Sequence, residues 1–443
     1  MVGVRSLYLP GTMRINEQGH LEIGGCDTVE LAREFGTPLF IYDVALIRER
    51  ARAFLRTFAE ENVKGQVAYA SKAFSSIAMV QLVEEEGLAL DVVSGGELYT
   101  ALKAKFPPER IHFHGNNKSL EELNMALDHH VGCIVVDNFY ELSLLEQLAR
   151  EKEKNINVLI RVTPGVEAHT HDYILTGQED SKFGFDLANG QAREALMRAL
   201  RSKHFRVRGI HCHIGSQIFE SAGFILAIRK IFDYLQDWKE ELDFAPEILN
   251  LGGGFGIRYV TGDHPLPPER FVRDIISEVK RQVQLTGLTM PEIWIEPGRS
   301  IVGDAGTTLY TLGSYKVLPG IRKYVAVDGG MTDNIRPALY QAKYEAVIAN
   351  RAKDEPVETV SIAGKACESG DMLIWDLPIA ETRPGDLLAV FCTGAYGYAM
   401  ASNYNRIGRP AVVFVENGDA RLVIRRENYE DLVRLDLPYY ELA

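Results

Sequence analysis

The strongest constraint on the fold is a regular alternation of short apolar runs with longer helical patterns between residues 67 and 296. Such alternation indicates a parallel sheet built from strand–helix units. Eight units in about 230 residues predict a (β/α)8 barrel, since open doubly wound sheets usually have fewer strands and a GxGxxG turn after the first. The eight predicted strands are Val67–Ala70, Ala89–Val93, Ile111–His114, Cys133–Asp137, Val158–Val162, Val207–Ile214, Ile248–Leu251 and Glu292–Glu296.

Strand-like segments flank this barrel on both sides. Residues 1–40 are predicted to be strand-like, with a hairpin in MRINEQGHLEIGG, and a helix is predicted from Val44 to Phe58. We therefore expect an α/β barrel over residues 44–300 and a mostly β second domain formed by residues 1–43 and 301–443. Strands of that domain are predicted at Thr308–Leu318, Tyr324–Val327, Val357–Ala363, Leu387–Cys392, Ala411–Val415 and Leu422–Arg426.

The charge and cysteine content exclude several classes of function. The chain has 443 residues and a net charge of −13, which argues against nucleic acid or an anionic membrane as the main partner. Its five cysteines are scattered without CxxC spacing, as in proteins of a reducing compartment. With no apolar run of membrane-spanning length and no signal-like N-terminus, a cytoplasmic protein is expected.

Polar residues gather at the carboxyl ends of the predicted strands, where barrel enzymes place their active sites. Lys72 follows the first strand and Asp91 lies on the second. The remaining strand-end residues are His114 and Asn116 after the third strand, His211, His213, Ser216 and Gln217 after the sixth, Gly252, Gly253 and Gly254 after the seventh, and Glu296, Pro297, Gly298 and Arg299 after the eighth. A single active site at this end of the barrel is the prediction.

Taken together, these residue types point to pyridoxal phosphate. A desolvated lysine can form a Schiff base with an aldehyde, although a lone lysine is more often a surface residue. Consecutive glycines let backbone N–H groups approach a phosphate, although they also form ordinary flexible loops. A carboxylate at Glu296 could pair with a pyridine nitrogen and His213 could stack on the ring, although a single histidine is more often a core residue.

A metal site is the main alternative from the residues themselves. The sequence has three HxH pairs, His112/His114, His169/His171 and His211/His213, and such pairs on strands occur in barrel metallohydrolases. Those enzymes also need convergent carboxylate ligands and have no use for a Schiff-base lysine or a phosphate nest. We therefore rank this alternative below pyridoxal phosphate and predict no metal.

The β domain carries polar motifs of its own. Arg336 and Tyr340 lie in DNIRPALY and are suited to binding a carboxylate. Cys367 and Glu368 lie in GKACESGD, where flanking glycines and polar residues predict an accessible loop cysteine. Tyr396 lies in the glycine-framed turn GAYGY.

In this order, the motifs resemble those of the fold-type III, alanine-racemase-like pyridoxal-phosphate decarboxylases over nearly the whole chain. The resemblance is closest to members that convert meso-2,6-diaminopimelate to L-lysine and carbon dioxide, the last step of lysine biosynthesis. It rests on YASKA, DVVSGGEL, HTHDYILTGQEDSKFG, HCHIGSQI, LGGGFG, IEPGRS, DNIRPALY, GKACESGD and GAYGYAMASNYN. One such motif is weak, but nine in order are specific.

The resemblance implies a role for each site residue. Lys72 would hold the cofactor covalently, His213 would stack on its ring and Glu296 would pair with its ring nitrogen. Cys367 would be the acid that protonates the product carbon, and the family's homodimer would complete each active site with the partner's Cys367 and Glu368. The other cofactor-binding residues would be Asp91, Ser216, Gly252, Gly253, Gly254, Pro297, Gly298, Arg299 and Tyr396, and the substrate-binding residues Arg299, Arg336, Tyr340, Glu368 and Tyr396.

Several alternatives stay open at this point. Another decarboxylase of the same fold could act on lysine, ornithine, arginine or a carboxy-polyamine, but the arginines favour a substrate with a distal carboxylate. A racemase of this fold would carry arginine instead of glutamate at the ring nitrogen. A non-catalytic cofactor-binding homologue would have no need of both Lys72 and Cys367.

Overall fold

Parallel strands close into an eight-stranded barrel within residues 8–166 and 181–440, the part of the chain that this computed structural model describes. Every neighbouring pair is parallel, and the eighth strand closes the ring by pairing Ile295 with Val67. We number the barrel strands 1 to 8 in chain order: Gly65–Ala70, Ala89–Val92, Ile111–Phe113, Cys133–Val136, Ile156–Thr163, Phe205–His211, Ile248–Asn250 and Glu292–Ile295. The predicted barrel is confirmed, and the strand ends differ from the predicted ones by up to three residues.

Helices follow the barrel strands, and their starts are fixed by short polar side chains. Ser76, Ser94 and Asn138 each accept a hydrogen bond from the backbone of the first turn, and Ser119 forms a reciprocal capping box with Glu122. The helices are Ile77–Glu85, Gly95–Lys103, Leu120–Asp128, Phe139–Glu151, Gln191–Arg201, Ala222–Leu242, Pro268–Thr286 and Arg299–Val302, with Val44–Glu60 before the barrel. A two-residue strand that was not predicted, Phe185–Asp186, pairs with strand 5.

The barrel core is apolar and closely packed. One buried cluster joins residues of strands 4, 5, 7 and 8, namely Cys133, Val135, Leu159, Ile248 and Trp294. Outside the strands, Phe255 stacks on Phe224 with ring centroids 5.2 Å apart and meets Phe54 and Phe271. Close packing of this kind permits little movement, so the carboxyl ends of the strands are held at fixed positions.

The second compact unit comprises the segments up to Arg48, Arg258–Asp263 and from Val302 onward. Its main sheet contains Leu39–Asp43, Gly306–Leu318, Arg322–Val327, Ala346–Ile348, Glu358–Ala363, Met372–Ile379, Leu387–Val390, Ala411–Glu416 and Asp419–Ile424. Leu39–Asp43 lies between Gly306–Leu318, which is antiparallel to it, and Ala411–Glu416, which is parallel. The mostly β character of this unit confirms the prediction.

Several elements of this unit depart from the predictions, including the unpredicted strand Ala346–Ile348. The segment predicted to be strand-like up to residue 40 contains the predicted hairpin, Arg14–Ile15 against Leu21–Ile23, but also the helix Thr28–Phe35. The Asp27 side chain accepts a hydrogen bond from Val29 N and so starts this helix. The strand Met372–Ile379 was missed because Pro378 interrupts its pattern, yet proline is tolerated there since the strand lies at the sheet edge.

Three smaller elements, together with five short 3₁₀ turns, complete the described chain. Cys26–Asp27 extends the N-terminal hairpin into a three-stranded sheet, and Arg336–Tyr340 and Tyr429–Val433 are helices of five residues each. No helix of the described chain combines the length and the apolar composition needed to cross a bilayer.

Candidate active site

A cavity of about 610 Å³ opens at the carboxyl ends of the barrel strands. Four of the residues predicted for the cofactor, Lys72, Asp91, His213 and Glu296, line it together. Lys72 lies in the short turn Ser71–Ala73 directly after strand 1, so its position is set by the end of that strand. The structure therefore brings together the predicted amine, imidazole and carboxylate.

The Glu296 carboxylate is the most highly connected polar group of the cavity. Its Oε1 accepts a hydrogen bond from Asn250 Nδ2 at 2.6 Å and lies 2.9 Å from His114 Nε2. Its Oε2 lies 3.1 Å from His211 Nε2. Glu296, His114, His211 and Asn250 are all buried. The neighbours of this buried carboxylate balance its negative charge and fix its orientation.

Opposing effects set the charges around Glu296. Burial alone would raise the pKa of Glu296, but the neighbouring His114 and His211 outweigh it and bring that pKa well below its usual range. Burial alone would lower the pKa of His114, but Asp91 and Glu296 raise it above its ordinary value. Burial lowers the pKa of His211 to about 4, against the opposing effect of Glu296. These directions favour an ionised Glu296, a charged His114 and a neutral His211 in the cluster.

His213 is a neutral imidazole of defined tautomer. Burial lowers its pKa well below 6.5, and the charge of Lys72 adds to this effect. Gly253 N donates a hydrogen bond to His213 Nδ1 at 3.2 Å, so Nδ1 is the acceptor and the proton lies on Nε2. An uncharged, fixed ring of this kind can lie against the face of a cofactor.

The glycine run after strand 7 is required by close backbone packing. A Cβ on Gly253 would lie 2.1 Å from the carbonyl oxygen of Glu296, and one on Gly254 would lie 2.4 Å from that of Gly215. Gly252 and Gly254 also have positive φ angles of 68° and 104°. The loop thus sits against the loops after strands 6 and 8, and its phosphate-binding role stays a prediction.

Some predicted cofactor residues lie beside the cavity lining instead of in it. Ser216 Oγ accepts a hydrogen bond from Arg299 Nη2 at 2.9 Å, which joins the ends of strands 6 and 8. Gly215, next to Ser216, lines the cavity, whereas Ser216, Pro297, Gly298, Arg299 and the three glycines are not among its lining residues.

Several lining residues were not predicted, and Arg161 and Asn250 are two polar residues of the site among those that were missed. Arg161 of strand 5 lines the cavity, where its guanidinium lies 4.4 Å from the Phe183 ring centroid and 3.8 Å from Asp137 Oδ1. Asn250 ends strand 7 and binds Glu296. Arginine and asparagine inside otherwise apolar strands were the available signals, since a buried polar residue needs a partner.

The histidine pairs have different surroundings. His112 stacks on Trp294 with ring centroids 4.2 Å apart, and burial lowers its pKa to about 3. Ligand atoms of His114, His211 and Glu296 lie within 4.8 Å of one another, a spacing that a metal site also needs. However, the Asn250 amide donates a hydrogen bond to the same carboxylate, which is typical of a hydrogen-bonded network. His169 and His171, with most of their motif, lie outside the described residues.

The remaining predicted residues belong to the β unit. Arg336 Nη1 donates hydrogen bonds to the hydroxyls of Tyr259 and Tyr344 at 3.0 and 2.9 Å, and only 8% of the residue is exposed. Tyr340 is 60% exposed. Cys367 is exposed, as predicted, and its backbone N donates to Asn405 Oδ1. Glu368 is exposed, and Tyr396 is half-buried with a φ angle of 61°.

Comparisons with known proteins agree with this geometry. The model of the pyridoxal-binding domain of pyridoxal-dependent decarboxylases matches residues 44–303. A diaminopimelate decarboxylase of Bacillus subtilis (strain 168) is 67% identical over 98% of this chain and 99% of its own length. One of Bacillus methanolicus is also 67% identical, over 95% of this chain and 98% of its own.

A solved structure agrees over almost the whole fold. The diaminopimelate decarboxylase of M. jannaschii in co-complex with L-lysine superposes with a TM-score of 0.90 at 38% identity, covering 96% of this chain and 98% of that one. With the barrel, the Lys72 cavity and these matches together, the chain belongs to the family of pyridoxal-dependent decarboxylases.

Proposed function

We propose that this enzyme decarboxylates meso-2,6-diaminopimelate to L-lysine and carbon dioxide, with pyridoxal 5′-phosphate as its cofactor. The observation that carries the proposal is the convergence of the Lys72 amine, the His213 imidazole and the Glu296 carboxylate on one cavity. The 67% identity to a diaminopimelate decarboxylase supports the reaction and the substrate. The M. jannaschii relative supports it further, because that structure contains L-lysine, the expected product.

The residues of the cavity fit this cofactor. Asp91 Oδ1 and His211 Nδ1 are buried polar atoms without a hydrogen-bond partner among the described residues. Such atoms in a cavity suit a polar ligand, because burying them unpaired costs free energy. Within the barrel, Ser216, Gly252, Gly253, Gly254, Pro297, Gly298 and Arg299 are proposed for the phosphate side, and Tyr396 is proposed to join them.

Each residue of the cavity has a distinct part in the proposed reaction. When bound, the cofactor supplies an electron sink for the bond to the departing carboxylate. Lys72 provides the amine that holds the cofactor. Ionised Glu296 keeps a proton on the ring nitrogen, and neutral His213 supports the ring face. The low pKa of Glu296 matters because a protonated carboxyl could not fill this role.

The distal end of the substrate is proposed to bind charged and hydroxyl groups. Diaminopimelate carries an amino group and a carboxylate at that end, and Arg336 offers a planar guanidinium suited to a carboxylate. A site built to bind a polar group rejects analogues that lack it by factors of roughly 10⁴. The proposed residues are Arg299, Arg336, Tyr340, Glu368 and Tyr396.

The remaining parts of the proposal concern the acid and the assembly. Cys367 is proposed to protonate the product carbon, and its exposed position in one chain supports a role completed in a homodimer. The cofactor domain is placed at residues 44–300, with residues 1–43 and 301–443 forming the β domain, and the family match over residues 44–303 supports this boundary. A cytoplasmic location is proposed, and five free cysteines are consistent with it.

The test is a product assay with competing substrates. The purified holoenzyme is incubated with meso-diaminopimelate, lysine, ornithine or arginine, and carbon dioxide and the amine or amino-acid product are measured. Release from diaminopimelate alone is expected. Arg336→Lys should raise KM for diaminopimelate about tenfold or more, because lysine lacks the planar fork, whereas the exposed control Arg383→Lys should not. Release from another amino acid, or from none, would overturn the proposed substrate.

A further inference from the structure

We propose that His114, His211 and Asn250 are positioning residues that hold Glu296 as a fixed anion, with an acceptor position on its Oε2 left for the ring nitrogen of the cofactor. This inference rests on the proposed function and deepens it. It concerns how the ring nitrogen is kept protonated, and it assigns two different tasks to two histidines that lie on the same carboxylate.

The count of acceptor positions supports this assignment. An ionised carboxylate offers about four lone-pair positions. Asn250 Nδ2 at 2.6 Å occupies one position of Oε1, and His211 Nε2 at 3.1 Å occupies one position of Oε2. His114 Nε2 lies 2.9 Å from Oε1 as an ion-pair contact without hydrogen-bond geometry. Among the described contacts of Glu296, one position on Oε2 is therefore left, and a protonated ring nitrogen would fill it.

The barrel register fixes this arrangement. His211 is paired directly with Asn250 across strands 6 and 7, and Asn250 is paired with Trp294 across strands 7 and 8. Glu296 N donates to Gly252 O at 2.8 Å, which holds the end of strand 8 against the loop after strand 7. These backbone bonds place Asn250 and His211 beside Glu296 without depending on a bound ligand.

The two histidines face different surroundings. His114 Nε2 lies between two carboxylates, 2.9 Å from Glu296 Oε1 and 3.7 Å from Asp91 Oδ1. A proton on this imidazole is therefore stabilised from both sides, and His114 acts as a cation. Among the described carboxylates, His211 contacts only Glu296. Its Nδ1 has no hydrogen-bond partner among the described residues. His211 thus acts as a neutral N–H donor.

This difference predicts which substitution is tolerated at each position. The amide nitrogen of glutamine can occupy the place of histidine Nε2 as an uncharged donor. His211→Gln should therefore preserve the function of His211, whereas His114→Gln keeps a donor but removes the charge. Leucine at either position removes the contact altogether. The matched control is His112→Phe, which keeps a ring stacked on Trp294 and is not among the Glu296 contacts.

The experiment reads the ring nitrogen directly. Each holoenzyme variant is loaded with ¹⁵N-labelled pyridoxal phosphate, and the nitrogen chemical shift and the cofactor dissociation constant are measured at one neutral pH. His114→Leu, His211→Leu and His114→Gln should move the shift toward the unprotonated value and weaken binding about tenfold, as expected for loss of a charge-assisted contact. His211→Gln and His112→Phe should match the parent.

The outcomes separate this inference from the proposed function. If the parent enzyme fails to bind the cofactor or to release carbon dioxide, the proposed function fails. If the parent is active but both leucine variants keep the parental nitrogen shift, the positioning roles are wrong. Should a leucine variant not fold, the glutamine pair decides, because equal shifts in His114→Gln and His211→Gln would refute the different tasks.

Discussion

Asp333 is predicted to make the stability of the β unit depend on pH. This residue is only 2% exposed; its Oδ1 accepts a hydrogen bond from Gly330 N at 2.9 Å, and its Oδ2 accepts one from the Tyr310 hydroxyl. Burial raises its pKa from 3.8 to about 7, and the nearby charge of Asp371 adds to the effect. Asp333 lies three residues before Arg336. The protonation of Asp333 is therefore expected to affect the stability of the segment that carries this proposed substrate-binding arginine.

The magnitude follows from the two pKa values. Between pH 3.8 and about 7 the folded state binds a proton that the unfolded state has lost. The contribution of protonated Asp333 to the free energy of unfolding is therefore full below pH 3.8 and is lost as the pH rises through about 7. A difference of about three pH units corresponds to roughly 4 kcal/mol, of which roughly 3 kcal/mol falls between about pH 5 and 8. Asp333→Asn should remove this dependence, because the amide does not titrate.

Native-state hydrogen exchange is the suitable assay. Peptides from Gly306–Leu318, the strand that carries Tyr310, report the opening free energy of this unit at a series of pH values. The difference in opening free energy between the parent and Asp333→Asn should change by roughly 3 kcal/mol from about pH 5 to 8. The exposed control Asp419→Asn should track the parent at every pH. A difference between the parent and Asp333→Asn that stays constant within about 1 kcal/mol would refute the reasoning.

Three further predictions concern the active site. Lys72→Ala should abolish the visible absorbance of the protein-bound cofactor and all turnover, and near-normal carbon dioxide release would remove Lys72 from its role. Cys367→Ala should retain the cofactor spectrum but lose about 10²-fold or more in kcat, as expected for loss of a general acid; unchanged kcat would require another acid. Gly253→Ala should lower stability by about 1–3 kcal/mol and weaken cofactor binding, because its Cβ would lie 2.1 Å from Glu296 O. The control Gly96→Ala meets only Ser94 Oγ at 3.7 Å and should have the parental Tm and cofactor affinity in the same assays.

The barrel could be predicted from sequence because its strands are buried on both faces. Runs such as Cys133–Val136 are entirely apolar, and such runs between helical patterns have few other interpretations. Strand ends were less predictable, because tertiary contacts decide whether the last residues of a strand still form ladder hydrogen bonds with the neighbouring strand. The strand Met372–Ile379 was hidden by Pro378 because edge position is a tertiary property that the local pattern does not carry.

The active site was predictable where chemistry and strand position coincide. Lys72, His213 and Glu296 each follow a strand, Asp91 lies one residue before the end of strand 2, and all four line one cavity. Asn250 and Arg161 were missed because a polar residue inside a strand reveals its partner only once the register is known. The same holds for the tautomer of His213, which depends on a backbone N–H from a different strand end.

The central position of Leu39–Asp43 in the β sheet has a consequence for biosynthesis. This strand is made early, yet its two sheet neighbours, Gly306–Leu318 and Ala411–Glu416, are translated far later. At about 5–20 residues per second, its parallel neighbour leaves the ribosome on the order of 20–75 s after it. The barrel segment is complete well before then, so the N-terminal strand must stay unpaired while the nascent chain grows around it.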